Sequence, residues 1–465
     1  MALIASISGI RGTIGGESER NLTPIDIVEF TSAFGMWMTT KSDSYKVVIG
    51  RDARESGELL ENLVKGTLVA MGFEVINLGL STTPTVEIAV TEFAAAGGIV
   101  LTASHNPREW NALKLLNHKG EFVTKKGGND IQEIVRNGYF SFSTIDRIGK
   151  VTEVRDFEDV HIQKILALPY IDAFAVKAAG LRVLVDGINS SGGVVVPKLL
   201  HALGISEIVE VNCEPTGRFA HLPEPLGENL QETCAAIRAH GCDLGIVVDP
   251  DVDRLVLIDE KGELFGEEYT LVAVADYILR QKKGVVVSNL SSSRALKDLA
   301  ERHGCSYFSS AVGEVHVTEI MKRKDAVIGG EGNGGVILPD LHYGRDALVG
   351  IALFVTHLVK SRKSCSELRA TYPNYFMSKQ KASINPSVDF QLVLDHLEAK
   401  YSGEEVNNLD GLKIDFPDSW VHIRRSNTES IIRIYAEAKS QDKADRLADS
   451  FRSEIVSIAD HSLKQ

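Results

Sequence analysis

Three carboxylates stand at alternate positions in Asp249-Pro250-Asp251-Val252-Asp253, and Arg254 follows directly. Like charges this close repel one another unless a cation neutralises them. In an extended segment alternate side chains point the same way, which would turn all three onto one ion. Every donor is oxygen, so a hard divalent cation such as Mg2+ suits the set better than zinc. Three carboxylates also leave ligand positions for water or a phosphate oxygen. A calcium EF-hand is the nearest competing motif, because Glu260 falls at its twelfth position. Arg254, however, stands where that motif needs its turn glycine, and strand-like runs flank the segment instead of helices. A solvated acidic turn is the plain alternative.

Three other loops carry chemically useful side chains. Ser104 lies in Ala103-Ser-His-Asn-Pro107, just after an apolar run. A hydroxyl needs activation before it attacks anything, and His105 beside it does not by adjacency make a Ser-His pair. Gly330-Glu-Gly-Asn-Gly-Gly335 lets backbone approach a ligand closely, with Glu331 and Asn333 available to hydrogen-bond a polyol. Ser426, Asn427 and Thr428, between Arg424 and Arg433, offer hydroxyl, amide and guanidinium donors to a phosphate. Arg11 in Ser8-Gly-Ile-Arg-Gly12 and Lys114 in Asn111-Ala-Leu-Lys114 add single cations. Taken one at a time, each of these has an ordinary loop or surface reading.

The elements that must position these loops repeat along the chain. Short β-type runs alternate with helical segments, which implies α/β architecture with mainly parallel sheets. The first unit has runs at Tyr45–Asp52, Phe73–Leu78 and Gly98–Thr102. The second has Leu181–Asp186, Glu207–Val211 and Leu244–Val248, and the third Gly284–Ser288, Ser306–Ser309 and Asp325–Gly329. A chemically loaded loop follows the third run each time. Ligands bind beyond the carboxyl ends of parallel strands, so three such domains would turn their loops toward one central cleft. After about residue 375 the pattern changes to a small α+β domain, with a strand near Ile431–Ala436 and an amphipathic helix from Gln441 to Val456. The expected divisions are 1–155 (serine loop), 156–258 (metal loop), 259–370 (sugar loop) and 375–465 (phosphate loop).

Bulk properties narrow the function. A chain of 465 residues exceeds one hydrophobic core and implies several domains. Its net charge of −13 argues against a nucleic-acid or anionic-membrane surface, so an anionic substrate must be captured by local cations. Cys213, Cys234, Cys242, Cys305 and Cys365 are odd in number and scattered, which disfavours a disulfide framework or zinc site and points to a reducing compartment. No apolar run approaches the roughly 18 residues of a membrane span, and no basic leader opens the chain. The expectation is a cytoplasmic protein.

Together the four loops resemble the α-D-phosphohexomutase family, through Thr102–Pro107 (TASHNP), the Asp249–Arg254 metal loop, the GE-containing sugar loop and an RxSNTE-type phosphate loop. The resemblance implies three similar α/β domains and a small C-terminal domain around a central cleft. It further implies that Ser104 is carried as phosphoserine and that a phosphoserine oxygen joins Asp249, Asp251 and Asp253 in holding Mg2+. Arg254 and Arg11 would act at the phosphoryl-transfer centre, and Lys114 as general acid/base; His105 completes the candidate catalytic set. Glu331 and Asn333 would grip the sugar, and Arg424, Ser426, Asn427, Thr428 and Arg433 the distal phosphate. The sequence departs from the pattern at Ala112, Ser430 and Pro250, and the sugar loop lacks the usual histidine, for which His342 and His316 are candidate replacements. The EGNGG form is similar to archaeal-type phosphoglucosamine mutases. The implied activity is therefore interconversion of hexose 6- and 1-phosphates through a hexose 1,6-bisphosphate, with glucosamine phosphate ahead of mannose or glucose phosphate. The enzyme would act as a monomer or homodimer. A metal-dependent sugar phosphatase and a catalytically silent sugar-phosphate-binding protein are the competing functions.

Overall fold

The computed structural model describes residues 4–6, 9–17, 21–382, 388–425 and 431–462. Its backbone divides into two compact units, Met1–Lys283 with Val327–Arg369, and Gly284–Ala326 with Ala370–Gln465.

The first unit opens with a seven-stranded sheet. Its strands are β1 (Ile4–Ser6), β2 (Gly9–Thr13), β3 (Lys46–Arg51), β4 (Glu74–Leu80), β5 (Gly97–Leu101), β6 (Trp110–Asn117) and β7 (Lys150–Glu153), in the order β1-β2-β6-β5-β3-β4-β7. β3, β4, β5 and β7 run parallel, while β6 is antiparallel to both β5 and β2. Period-two alternation feeds two cores. Val47, Ile49, Ile99 and Leu101 pack on one face, and Val48, Ile76 and Val100 on the other. The helices covering those faces start at defined stops. Thr23 and Asp26 form a capping box ahead of Pro24–Thr39, and Thr82 caps Thr83–Glu92 with Pro84 in its first turn.

A four-stranded sheet follows, β8 (Arg182–Asp186), β9 (Glu207–Val211), β10 (Leu244–Val248) and β11 (Leu255–Asp259), ordered β11-β10-β8-β9. β8 is parallel to β9 and β10, and β11 returns antiparallel to β10. The third α/β segment repeats both outer pairings. β12 (Val285–Asn289) and β13 (Tyr307–Ser310) are parallel, and β14 (Ala326–Glu331) and β15 (Gly335–Ile337) antiparallel. Each third strand of the repeat thus ends in a loop that an antiparallel strand closes, and those three loops are the chemically loaded ones.

The C-terminal part is an antiparallel sheet of β16 (Phe376–Ala382), β17 (Glu405–Asn407), β18 (Leu412–Asp415), β19 (Trp420–Arg425) and β20 (Ile432–Ala438), ordered β16-β20-β19-β18-β17. Val421, Ile423, Ile432 and Ile434 pack against Val393 and Leu397 of helix Phe390–Lys400 and Phe451 and Ile455 of helix Gln441–Ser462. That last helix runs to Ser462 rather than stopping at Val456, because Ala459 continues its buried stripe.

Candidate active site

The serine loop is held by one buried arginine. Arg54 lies just past the end of β3 and pairs through Nε with Asp52 Oδ2 at 3.0 Å. Its two terminal nitrogens donate to four carbonyls, those of Ser104 (2.6 Å), Asn106 (2.7 Å), Pro107 (2.6 Å) and Trp110 (2.9 Å). Asp52 also accepts from the Thr102 hydroxyl at 2.6 Å, and Thr102 Oγ1 accepts from Ser104 N–H at 2.9 Å. Held at both ends, Ser104 adopts φ +48°, a strained value for a residue other than glycine. That twist points its hydroxyl at the metal loop, where it donates to Asp249 Oδ2 at 2.6 Å.

The metal loop is a turn, not the extended segment the alternating spacing suggests. Val252 takes φ +63°, and the Ser190 and Ser191 hydroxyls both donate to Pro250 O at 2.7 Å. Asp249 Oδ1 accepts the Asp253 and Arg254 N–H groups at 3.1 Å each, folding the loop back on itself. All three aspartates are fully buried, with ligand atoms within 4.8 Å of one another. The strands on either side leave no helix–loop–helix, so the EF-hand alternative fails.

Four cations surround these carboxylates. Lys114, on β6, reaches Asp251 Oδ2 at 2.5 Å and Asp253 Oδ2 at 3.2 Å. Arg345 donates to Asp253 Oδ2 at 2.7 Å, and Arg254 follows the loop. Arg11, on β2 alongside β6, donates to Asn106 Oδ1 at 3.5 Å. The electrostatics follow. Burial pushes Asp253 up, but Arg345, Lys114 and Arg254 outweigh it and hold the carboxyl well below the usual range. Asp249 goes the other way, raised by burial and then by Asp253 and Asp251. Burial lowers Lys114, yet Asp251 and Asp253 overcome that and keep it above its ordinary value. His105, 3.5 Å from Ser104 Oγ, is pushed well below the imidazole range by Arg254, by burial and by Arg11. It therefore stands neutral beside the serine.

The donor set fits a divalent cation. Asp251 Oδ1 and Asp253 Oδ1 are buried and accept no hydrogen bond, and orphaned carboxylate oxygens inside a protein are costly unless something charged meets them. Three oxygens of hard character beside Ser104 Oγ match Mg2+ chemistry.

The sugar loop joins this cluster through Arg345, whose Nη1 lies 3.4 Å from both Glu331 Oε2 and Asn333 Oδ1. Backbone ties the loops together, with Leu255 N–H on Gly334 O at 3.0 Å and Ala347 N–H on Val252 O at 3.1 Å. Arg11, Ser104, His105, Lys114, the three aspartates, Arg254, Glu331 and Asn333 thus all belong to the first unit. Arg424 and Arg433 belong to the second, as cross-strand partners on β19 and β20, with Arg424 Nε 3.1 Å from Asp410 Oδ2. Ser426, Asn427 and Thr428 lie outside the described residues, as does Ser430. The two candidate replacements for the sugar-loop histidine belong to different units. His342 is enclosed between Glu87 and Asp346, and His316 lies on helix Glu314–Lys324 of the second unit.

Arg54 and Arg345 escaped the sequence reading. Arg54 had a usable signal, since Asp52-Ala-Arg54 follows a strand at its carboxyl end, where ligands gather. Arg345 had none, because its partner Asp253 is 92 residues away.

Comparison with known proteins accounts for this arrangement along the chain. Residues 4–141, 159–262 and 266–375 match phosphoglucomutase/phosphomannomutase alpha/beta/alpha domains I, II and III, and residues 391–454 match the C-terminal domain of the same family. A phosphoglucomutase/phosphomannomutase of Thermococcus kodakarensis is 36% identical over 93% of this chain and 95% of its own length. A probable phosphoglucosamine mutase of Methanopyrus kandleri is 32% identical over 96% of both chains. A phosphoglucomutase/phosphomannomutase family protein of Burkholderia thailandensis superposes with a TM-score of 0.85 at 26% identity, covering 98% of this chain and 97% of that one. Among the described residues, no helix is long and apolar enough to cross a membrane.

Proposed function

This chain belongs to the phosphoglucomutase/phosphomannomutase (α-D-phosphohexomutase) family and is a mutase, and we propose that it interconverts glucosamine 6-phosphate and glucosamine 1-phosphate through phosphorylated Ser104. The observation that carries the reading is the Ser104 hydroxyl donating to Asp249 at 2.6 Å, inside a carboxylate cluster with two orphaned oxygens.

Asp249, Asp251 and Asp253, with a phosphoserine oxygen, would hold Mg2+, which when bound neutralises phosphoryl charge. Ser104 is the phosphoryl carrier. In the first transfer its O–P bond breaks as a new bond forms from phosphorus to the sugar O1, giving a hexose 1,6-bisphosphate. The proton leaving that hydroxyl ends on Ser104 Oγ. Neutral His105, 3.5 Å from Oγ, is placed to relay it, and Lys114 is the second candidate. Arg11 and Arg254 supply positive charge to the equatorial phosphoryl oxygens, which is where such transfers gain most of their rate. After the bisphosphate turns over, the O6 phosphoryl returns to Ser104 and the 1-phosphate leaves. Glu331 and Asn333 hydrogen-bond the sugar in both orientations, and Arg424 and Arg433, with the Ser426–Thr428 segment, clamp whichever phosphate is distal. The bisphosphate also serves as activator, by rephosphorylating Ser104.

Glucosamine is preferred on two grounds, the Glu331 carboxylate suited to a 2-ammonium and the name of the Methanopyrus kandleri relative. The 36% identity to the Thermococcus kodakarensis protein favours a second reading, with glucose and mannose phosphates as substrates. Five free cysteines support a cytoplasmic setting.

The test compares glucosamine, glucose and mannose 6-phosphates, with phosphorylated protein and Mg2+. Glucosamine 1-phosphate should form fastest, and Ser104→Ala should abolish it. Near wild-type isomerisation by Ser104→Ala overturns the mechanism. Net release of inorganic phosphate without 1-phosphate would make the protein a phosphatase.

A further inference from the structure

A second buried polar cluster lies apart from the phosphoryl-transfer residues. His342 Nε2 is 3.2 Å from Asp346 Oδ2, and its Nδ1 is 3.2 Å from Glu87 Oε2. With a carboxylate at each nitrogen, both nitrogens carry protons and the ring is an imidazolium between two anions. His161 Nε2 meets the same Asp346 oxygen at 2.9 Å, and the Thr85 hydroxyl meets His161 Nδ1 at 3.0 Å. The other Asp346 oxygen accepts from Leu348 N–H at 2.8 Å and Val349 N–H at 3.2 Å, capping helix Ala347–Ser361. The His342–Glu87 contact is an ion pair, while the contacts of His342 and His161 with Asp346 are hydrogen bonds.

Followed outward, these contacts close a ring. Thr83 begins helix Thr83–Glu92 and donates its N–H to Asp251 O at 2.9 Å and its hydroxyl to Asp251 Oδ2 at 2.5 Å. One turn along the same helix is Glu87, which faces His342. Asp346, the other partner of His342, is bonded through the chain to Arg345. Arg345 in turn holds Asp253, two residues beyond Asp251, and reaches toward Glu331 and Asn333. The loop is wrapped tightly on Glu87: a Cβ on Gly344 would stand 1.7 Å from Glu87 Oε2, so a larger residue there would displace the Glu87 carboxylate.

We propose that His342 is a positioning residue, locking the 342–346 loop onto helix Thr83–Glu92 and so setting the Arg345 guanidinium between the metal loop and the sugar loop. A helix has few internal degrees of freedom, so Thr83 and Glu87 form a rigid strut. One end of the strut holds Asp251, and the other, through His342 and Arg345, holds Asp253 and Glu331. Loss of the imidazolium leaves Glu87 and Asp346 facing each other as two buried anions, which drives the loop off the helix and takes Arg345 with it. The site then keeps all its chemical groups but loses their spacing. The inference rests on the mutase reading only for its kinetic readout.

A double-mutant cycle tests it. His342→Gln keeps one donor and removes the charge. It is expected to lower kcat/KM about tenfold and to raise KM for the sugar phosphate, as displacement of a substrate-positioning group does. Arg345→Met alone should cost more, and adding His342→Gln to it should cost no further loss, because both act through one group. Effects that multiply in the double variant overturn the proposal, as does wild-type kcat/KM in folded His342→Gln. A second measurement needs no turnover: Mn2+ affinity of the aspartate cluster, read by EPR. Releasing Asp253 from Arg345 should shift it in the same direction in His342→Gln, Arg345→Met and the double variant, and equal affinity in wild type and His342→Gln overturns the proposal. If the wild type interconverts no hexose phosphate, the mutase reading fails, and the Mn2+ series alone decides this one. Should His342→Gln not fold, Glu87→Gln replaces it in the same cycle, with the same expectations.

Discussion

Replacing Arg54 should uncouple folding of the chain from readiness of Ser104. The side chain is wholly buried, pairs with the equally buried Asp52 and binds four carbonyls of the serine loop. Arg54→Met leaves the Asp52 carboxylate uncompensated, and breaking a buried pair in this way costs about 3–5 kcal/mol. Each abandoned carbonyl would cost about a further 1–3 kcal/mol if it stayed dry. The loop avoids that by opening to water, which makes ~3–5 kcal/mol the net expectation, a large part of the roughly 5–15 kcal/mol that holds a typical domain together. Opening the loop also releases the strain at Ser104, whose φ of +48° is worth on the order of 1–3 kcal/mol, so the hydroxyl swings off Asp249 and does not return. Arg54→Lys separates the two effects. It keeps the charge beside Asp52 but offers a point charge where a planar fork spans four acceptors. Its stability should fall by only about 1–2 kcal/mol, while phosphorylation of Ser104 by hexose bisphosphate slows at least about tenfold. Urea unfolding followed by circular dichroism measures the first, and intact-mass kinetics of phosphoserine formation the second. Wild-type phosphorylation kinetics in Arg54→Lys, together with an Arg54→Met unfolding free energy unchanged within about 1 kcal/mol, would refute the reasoning.

Three further outcomes follow from the same geometry. Mg2+ at roughly 100 times its dissociation constant should stabilise the wild type by about 2.7 kcal/mol and Asp253→Ala hardly at all; equal increments in calorimetry would rule out the aspartate cluster as the site. His342 is pushed up to about 10, because Asp346 and Glu87 outweigh the opposing effect of burial. Its folded value lies above its unfolded one, so the stability it contributes is complete below about pH 6.5 and is lost as pH rises toward 10, at about 1.4 kcal/mol per pH unit. The stability gap between wild type and His342→Gln, measured by urea unfolding at pH 6.5, 8 and 9.5, should therefore shrink, and a constant gap contradicts the imidazolium. In the second unit, Arg294 binds the carbonyls of Phe416, Pro417 and Ser419 and the Asp415 carboxylate, so Arg294→Ala should weaken that unit by about 2–3 kcal/mol. Hydrogen exchange should quicken at 412–425 and 432–438 and stay unchanged at 47–101.

The chemistry of this chain was legible where it is local and hidden where it is long-range. Asp249, Asp251 and Asp253 announce themselves because three carboxylates within five residues have few other uses, and the three repeats were readable because buried parallel strands are continuous apolar runs. The reading failed on how the aspartates converge. Alternation in an extended strand would have sufficed, but the protein uses a turn with a β-branched residue at φ +63°, a conformation no sequence pattern advertises. Strand β6 was missed for a related reason. It is flanked by strands on both sides, yet Trp110-Asn-Ala-Leu-Lys-Leu-Leu-Asn117 shows no clean alternation, because Asn111 is buried against Ser56 and Lys114 is drawn in by two aspartates. In each case a functional demand overrode the local rule, and the override marks the site. Strained Ser104 and Val252, a strand whose apolar pattern is interrupted by a half-buried lysine, and arginines paired with residues 50 and 92 positions away gather around the serine and aspartate loops. Such departures are stable only where surrounding structure over-determines them. Arg54 provides that surrounding structure for Ser104, and Arg345 provides it for the aspartate loop.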